Sequence, residues 1–247
     1  MKLGYAVPLA LLCAAPALAQ TPAKSVTTAL ADPSRPAADR DRDAARKPAA
    51  IIAFAGIKRG DKVADFIMGG GYWTRILSGV VGPKGRVYAY QPAEFIAFRA
   101  AYGTEQDAAV AGRANVVPSR DSLTVAAFPE PLDAIITSQN WHDLHLKVAP
   151  AGSAAAMARH LFGLLKPGGT LLVIDHAAAA GAPLTVADTL HRIDPAKARA
   201  EIEAAGFRFD GESPVLRQPG DSRTQLVFDP AIRGKTDQFV FRFRKPR

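Results

Sequence analysis

The 247-residue sequence is 48% hydrophobic and carries 31 basic against 23 acidic residues, a formal charge of +8, with one cysteine. A single cysteine excludes an intramolecular disulfide, so stability has to come from a packed core. Apart from Arg242, Arg244, Lys245 and Arg247 the positive charge is scattered, and no basic face interleaved with aromatics marks a nucleic-acid groove.

In chain order, Lys2, the apolar run Val7 to Ala15 and Ala17-Leu18-Ala19 before Gln20 read as a secretory signal peptide, cut after Ala19. The run is shorter than the about 20 residues that a membrane-spanning helix needs. A soluble product in the bacterial periplasm, without a stable membrane anchor after cleavage, is therefore expected. Residues 20–48 read as a loose leader with a short helix, followed by a polar helix over Ala37 to Lys47 whose acids lie toward its start and bases at its end. Residues 49–247 read as one domain.

Within that domain the spacing predicts strand 62–67, helix 72–81, strand 85–90, helix 92–111 and strand 114–118, then an irregular stretch holding Asp121. Strand 132–137, a loop through His145 and a helix near 151–165 follow. Lys166-Pro167-Gly168-Gly169 reads as a helix stop and a turn into strand 170–175. The aliphatic, β-branched runs suit strands buried on both faces of a parallel α/β sheet with helices on either side. A helix over 196–205 ends at Gly206, and segments 207–212 and 237–244 close the chain. In the last of these Phe239, Phe241 and Phe243 alternate with Val240, Arg242 and Arg244, which predicts a strand with one buried face.

The most informative stretch is Asp65-Phe66-Ile67-Met68-Gly69-Gly70-Gly71-Tyr72-Trp73-Thr74: a buried strand, a glycine turn and a helix start. Glycines let backbone approach a ligand closely, and the helix directs its first N–H groups at the turn. A second strand ends about twenty residues on, the layout of a nucleotide-type site at the carboxyl ends of parallel strands. NAD falls behind, because Gly69-x-Gly71-x-x-Thr74 lacks a third glycine and Gln91 stands where the acid belongs. A P-loop fails for want of a Gly-Lys-Ser/Thr.

Together with Gly82-Pro83-Lys84-Gly85-Arg86-Val87-Tyr88, Asp133-Ala134-Ile135-Ile136 and Leu165-Lys166-Pro167-Gly168-Gly169-Thr170-Leu171, this motif resembles the class I S-adenosylmethionine-dependent methyltransferases. Tyr72-Trp73-Thr74 with Val80-Val81-Gly82-Pro83 is similar to a variant found in predicted methyltransferases made with signal peptides. The resemblance implies a Rossmann-like, seven-stranded, mostly parallel sheet with the last strand antiparallel, and S-adenosylmethionine as cofactor. Carried over, Asp65, Gly69, Gly70 and Gly71 border the methionine end, Gln91 meets the ribose, Asp121 the adenine amino group, and Asn140 shapes the pocket. Where the family has its first glycine this chain has Ile67. Gln91 replaces the usual acid, and it lacks the charge that strengthens a carboxylate acceptor. The expectation is weaker cofactor binding, or compensation by Glu94 one helical turn on.

Beyond the cofactor, Gln139-Asn140-Trp141-His142-Asp143-Leu144-His145 follows strand four at the edge where a small-molecule acceptor would lie. His142 is the expected proton acceptor, with a pKa near 6.5, and Asp143 its orienting partner. His176 ends strand five at the same edge, and the His191 segment precedes the last helix. No metal is expected, because no histidine pair has ligand spacing on a helix. An exported methyltransferase acting on a small molecule is the leading reading. The other is a non-catalytic binding protein that keeps the fold with a degenerate cofactor site.

Overall fold

A computed structural model describes residues 23–123, 128, 131–147 and 149–247. The expected signal peptide lies outside the described residues. Among those described, no helix is long and apolar enough to cross a membrane.

Seven strands form one sheet in the order β3-β2-β1-β4-β5-β7-β6. These are β1 (Lys62–Phe66), β2 (Arg86–Tyr90), β3 (Val116–Ser119), β4 (Leu132–Ser138), β5 (Leu165–His176), β6 (Arg208–Glu212) and β7 (Gln238–Arg244). The first five run parallel, while β7 lies antiparallel to both β5 and β6. Among the described residues ten α-helices surround them. In chain order they are α1 (Lys24–Leu30), α2 (Ala37–Arg40), α3 (Asp43–Arg46), α4 (Pro48–Ala55), α5 (Tyr72–Val81), α6 (Ala93–Phe98), α7 (Ala101–Val110), α8 (Ser153–Leu164), α9 (Val186–Leu190) and α10 (Pro195–Ala204).

The period-two alternation of strand side chains sends neighbours to opposite faces. Leu171, Val173, Phe239 and Phe243 pack with Met157 and Leu161 of α8 and Ile202 of α10. Leu172, Ile174 and Val240 face the other way, toward Ile51 and Ile52 of α4 and Ile76 and Leu77 of α5. The first core mixes aromatic with aliphatic side chains and the second is mainly aliphatic, and each buried Leu or Ile contributes about 1.5–3 kcal/mol.

Several elements differ from the sequence reading, each for a local reason. In β7 the Phe239, Phe241 and Phe243 face is buried as expected, and on the other face Val240 is buried too, against the helices of the second core, while Arg242 and Arg244 are half-buried. The single helix expected over 92–111 is two. The chain is extended at Arg99, whose guanidinium pairs with Glu105 at 2.6 Å and lies over the Tyr102 ring. Residues 166–169 belong to β5 as an irregularity: Leu165 pairs with Leu132 and Thr170 with Ala134, leaving the segment between them looped out.

The polar helix expected over 37–47 is the pair α2 and α3, and it does not stand on its own propensity. Helices this short are marginal in water. Here charge pairs hold them to the domain. The buried Arg35 makes a two-pronged contact with Asp43 at 2.8 and 2.6 Å, Tyr72 donates its hydroxyl to Asp43 at 2.7 Å, and Arg75 reaches Asp39 at 2.6 Å. Val26 and Ala29 of α1 enter the aliphatic core beside α5. Residues 24–46 thus form a strap across the start of α5, where the glycine turn lies.

Candidate functional site

The carboxyl ends of β1, β2, β4 and β5 are tied together by side chains from the loops that leave them. After β1, Ile67 is buried with φ +60°. A β-branched residue in that region is a backbone outlier, and such strain costs about 1–3 kcal/mol and persists only where the surroundings impose it. They do. Met68 N–H donates to Tyr90 O at 2.9 Å, and the Asn140 amide donates to Ile67 O and Ser138 O, both at 2.9 Å. Gln139, next to Asn140, also has positive φ (+65°), and its side chain accepts from Arg46 of the strap at 3.1 Å.

The three glycines separate into different tasks. A Cβ on Gly71 (φ +78°) would collide with Ala109 of α7, so that glycine is set by helix packing. A Cβ on Gly70 would come within 3.7 Å of a Glu105 carboxylate oxygen. Gly69 (φ +52°) has nothing within 4 Å of that position, so the turn is open there. Its N–H donates to Gln91 Oε1 at 2.9 Å. Gln91 is wholly buried, and its Nε2 has no hydrogen-bond partner.

Asp65 lies buried at the end of β1 and accepts from the Thr74 hydroxyl at 2.6 Å. Burial pushes its carboxyl up to about 6, against the Thr74 hydrogen bonds and the charges of Arg46 and Arg75. Asp121 stays exposed beyond β3 and accepts from Ser119 Oγ at 2.9 Å. Glu94 does not stand in for the missing acid at Gln91. Its carboxylate accepts from the Ser122 hydroxyl and from Leu123 N–H at 3.1 Å, fixing the loop after β3.

The second half of the site is a histidine cluster. His142 opens a 3-10 turn (His142–His145) after β4 and is buried, as is Asp175 near the end of β5. Asp175 accepts from His142 Nδ1 at 2.8 Å, from His142 N–H at 2.7 Å and from His176 N–H at 2.7 Å. His142 Nε2 then faces Asp143 Oδ1 at 3.2 Å and His191 Nδ1 at 3.3 Å. Burial alone would lower the His142 pKa. The Asp175 charge and the hydrogen bonds the ring donates to both carboxylates outweigh it and raise it to about 10. The upward shift favours the protonated ring, which Asp175 orients through Nδ1 and Asp143 meets at Nε2.

His176 is buried and pairs with Thr236 Oγ1 at 2.8 Å; burial pushes its pKa down to about 4. His191, held at φ +51° by the turn after α9, is lowered by burial and by the neighbouring His142 charge. Arg192 beside it is buried and structural, bonding Ala177 O, Gln225 O and Asp221. His145 lies apart and pairs with Glu201 at 3.1 Å, sharing that carboxylate with Trp141.

A sheet in this order, with an antiparallel seventh strand and a glycine turn after β1, decides the architecture. The fold is that of the class I methyltransferases. A SAM dependent methyltransferase from Aquifex aeolicus aligns with TM-score 0.56 and 21% identity, covering 79% of this chain and 88% of that one. The N-methyltransferase NodS from Bradyrhizobium japonicum WM9 gives 0.56 and 11%, over 84% and 97%. A putative methyltransferase from Bacillus halodurans C-125 gives 0.51 and 18%, over 81% and 98%. No protein-family model and no curated protein sequence matches the chain.

Within this methyltransferase fold, sequence reasoning missed Arg46 and Thr74, and it left His191 outside the set of site residues. Arg46 sits in a run of alternating charges that reads as a solvated face, and nothing local distinguishes it. His191 lies 49 residues from His142, so only the tertiary fold joins them.

Proposed function

We propose that this chain binds S-adenosylmethionine at the glycine turn and transfers its methyl group to an oxygen or nitrogen atom of a small molecule lying near His142. The observation that carries the reading is Gln91: a wholly buried amide with an unpaired Nε2, next to the open side of Gly69, on a sheet of class I topology. A buried donor left unpaired costs about 1–3 kcal/mol, and a ribose hydroxyl would supply the acceptor. The residues present therefore fit the group. Gln91 would hold the ribose, the turn at Gly69 and Asn140 the methionine end, and Asp121 with the loop fixed by Glu94 the adenine.

When bound, the cofactor supplies an electrophilic methyl group. The protein's own task is then to align the acceptor and to manage its proton. His142, charged between two carboxylates, donates a hydrogen bond to the acceptor. His191, kept neutral, takes the proton. Export to the periplasm is part of the proposal and rests on residues 1–19 alone. It requires a source of cofactor outside the cytoplasm.

One observation favours the alternative, a binding protein without transfer activity. The Gly69 N–H, which a ligand on the turn would use, is already bonded to Gln91 Oε1. Calorimetric titration of residues 20–247 with S-adenosylmethionine and S-adenosylhomocysteine tests the reading. Micromolar affinity, about −8 kcal/mol, that weakens in Gln91→Ala supports it. Absence of binding at millimolar ligand refutes it and leaves the alternative.

A further inference from the structure

We propose that His142, Asp143 and His191 form a binding site for one divalent transition-metal ion of the zinc type. The three side chains come from two segments, the turn after β4 and the turn after α9, and are the cluster of this kind among the described residues. Their donor atoms lie within 4.8 Å of one another.

The separations carry the inference. Zinc bonds nitrogen and carboxylate oxygen at about 2.0–2.2 Å, which sets the edge of a tetrahedron at about 3.3–3.5 Å. His142 Nε2 lies 3.3 Å from His191 Nδ1 and 3.2 Å from Asp143 Oδ1, so two edges are already formed around a shared nitrogen. The third edge closes by a rotation of the half-buried Asp143 or His191 side chain.

The surroundings match a ligand set rather than a chance contact. Metal-bound histidines commonly donate their other ring nitrogen to a carboxylate, which fixes the tautomer and aims the lone pair. His142 Nδ1 does this to Asp175 at 2.8 Å, and the wholly buried Asp175 is itself held by two backbone N–H groups. The left-handed turn at His191 brings its ring edge-on to His142 at a centroid distance of 5.3 Å. Two imidazoles and one carboxylate select zinc or another first-row divalent ion over magnesium or calcium, which prefer oxygen cages. Three protein donors leave a fourth position for a small oxygen or nitrogen ligand. The site uses no residue of the glycine turn, but it takes the lone pairs of His142 Nε2 and His191 Nδ1, so metal binding releases the His142 Nε2 proton and is exclusive of the proton-handling roles proposed above.

The test is calorimetric titration of chelator-stripped protein, residues 20–247, with zinc chloride and no cofactor present. One zinc per chain with micromolar or tighter affinity is the expected result, with at least tenfold weakening in His191→Ala and in Asp143→Asn. Asp175→Asn should weaken it about 10–100-fold, as loss of an orienting carboxylate does. His145→Ala, altered outside the cluster, should bind as the parent does. Zinc binding that is absent, unchanged in the first two variants, or lost in His145→Ala overturns the proposal. Should His191→Ala fail to fold, cobalt-loaded parent protein decides: an intense four-coordinate visible band supports the site, and a weak six-coordinate one refutes it.

Discussion

Asp65→Asn isolates the price of keeping an ionised group beneath the glycine turn. In the folded chain Asp65 titrates near 6 because burial disfavours its charge more than Thr74, Arg46 and Arg75 favour it; its ordinary value is 3.8. A carboxyl raised on folding contributes stability only below the unfolded pKa and loses it as pH rises through the folded one. Above pH 7 both states are ionised and the full difference, about 3 kcal/mol, stands against folding. Asparagine keeps the shape and can still accept from the Thr74 hydroxyl, so the variant should gain up to about 3 kcal/mol at pH 8. The gain should shrink through pH 6 and vanish below pH 4. Urea unfolding of parent and variant at pH 8, 6 and 4 measures it. A variant less stable than the parent at pH 8 would mean that Arg46 and Arg75 more than offset the burial, and the reasoning would fall. Loss of cofactor affinity in a stabilised variant is the expected companion effect, since binding residues are commonly held at the expense of stability.

The remaining predictions concern neighbouring parts of the same edge. His176 titrates near 4 under burial and the charges of His142, Arg192 and Arg46, opposed by Asp175. A histidine lowered on folding contributes stability above its unfolded pKa near 6.5 that is lost as pH falls toward 4, so His176→Gln should flatten the unfolding midpoint between pH 7 and 4.5 relative to the parent; parallel curves would contradict this. Asn140→Ala removes two hydrogen bonds that hold strained Ile67, and should cost about 1–3 kcal/mol in denaturant unfolding. It should also weaken S-adenosylhomocysteine binding, read by calorimetry. Arg75→Met leaves Asp39 buried with only Arg42 beside it and should destabilise by about 3 kcal/mol, while adding Asp39→Leu should restore most of the loss. A loss under about 0.5 kcal/mol would make the strap's ion pair ornamental.

The sheet was legible because its signals are local. Val63 to Phe66, Ile135 to Thr137 and Leu171 to Ile174 are short runs rich in apolar and β-branched residues, and helix 72–81 follows its glycine turn with the expected bounds. What escaped depends on partners distant in sequence. Arg35 and Asp39 look like solvated charges until Asp43, Tyr72 and Arg75 are brought against them. The same is true of the site. His142 was found from its place after a strand, but its charge state is set by Asp175, 33 residues on, and its open edge by His191. Spacing rules for metal ligands read single helices, so a cluster assembled from two turns leaves no pattern in the sequence. Gln91 was placed by register alone, and its buried, unpaired nitrogen appears only once β2 is packed.

The strand order has a bearing on how the molecule is made. β7 lies between β5 and β6, so β5 and β6 pair with it and not with each other. Until residues 238–244 leave the ribosome, the emerging chain carries β5 as an open edge of aliphatic residues and β6 with nothing to join. Pairing Thr170 with Arg244 closes a long loop, the kind of non-local contact that slows folding. The sheet therefore stays incomplete, and exposed at one edge, until β7 has been synthesised. That interval is the one in which a holdase can engage it, and truncation within β7 would make it permanent.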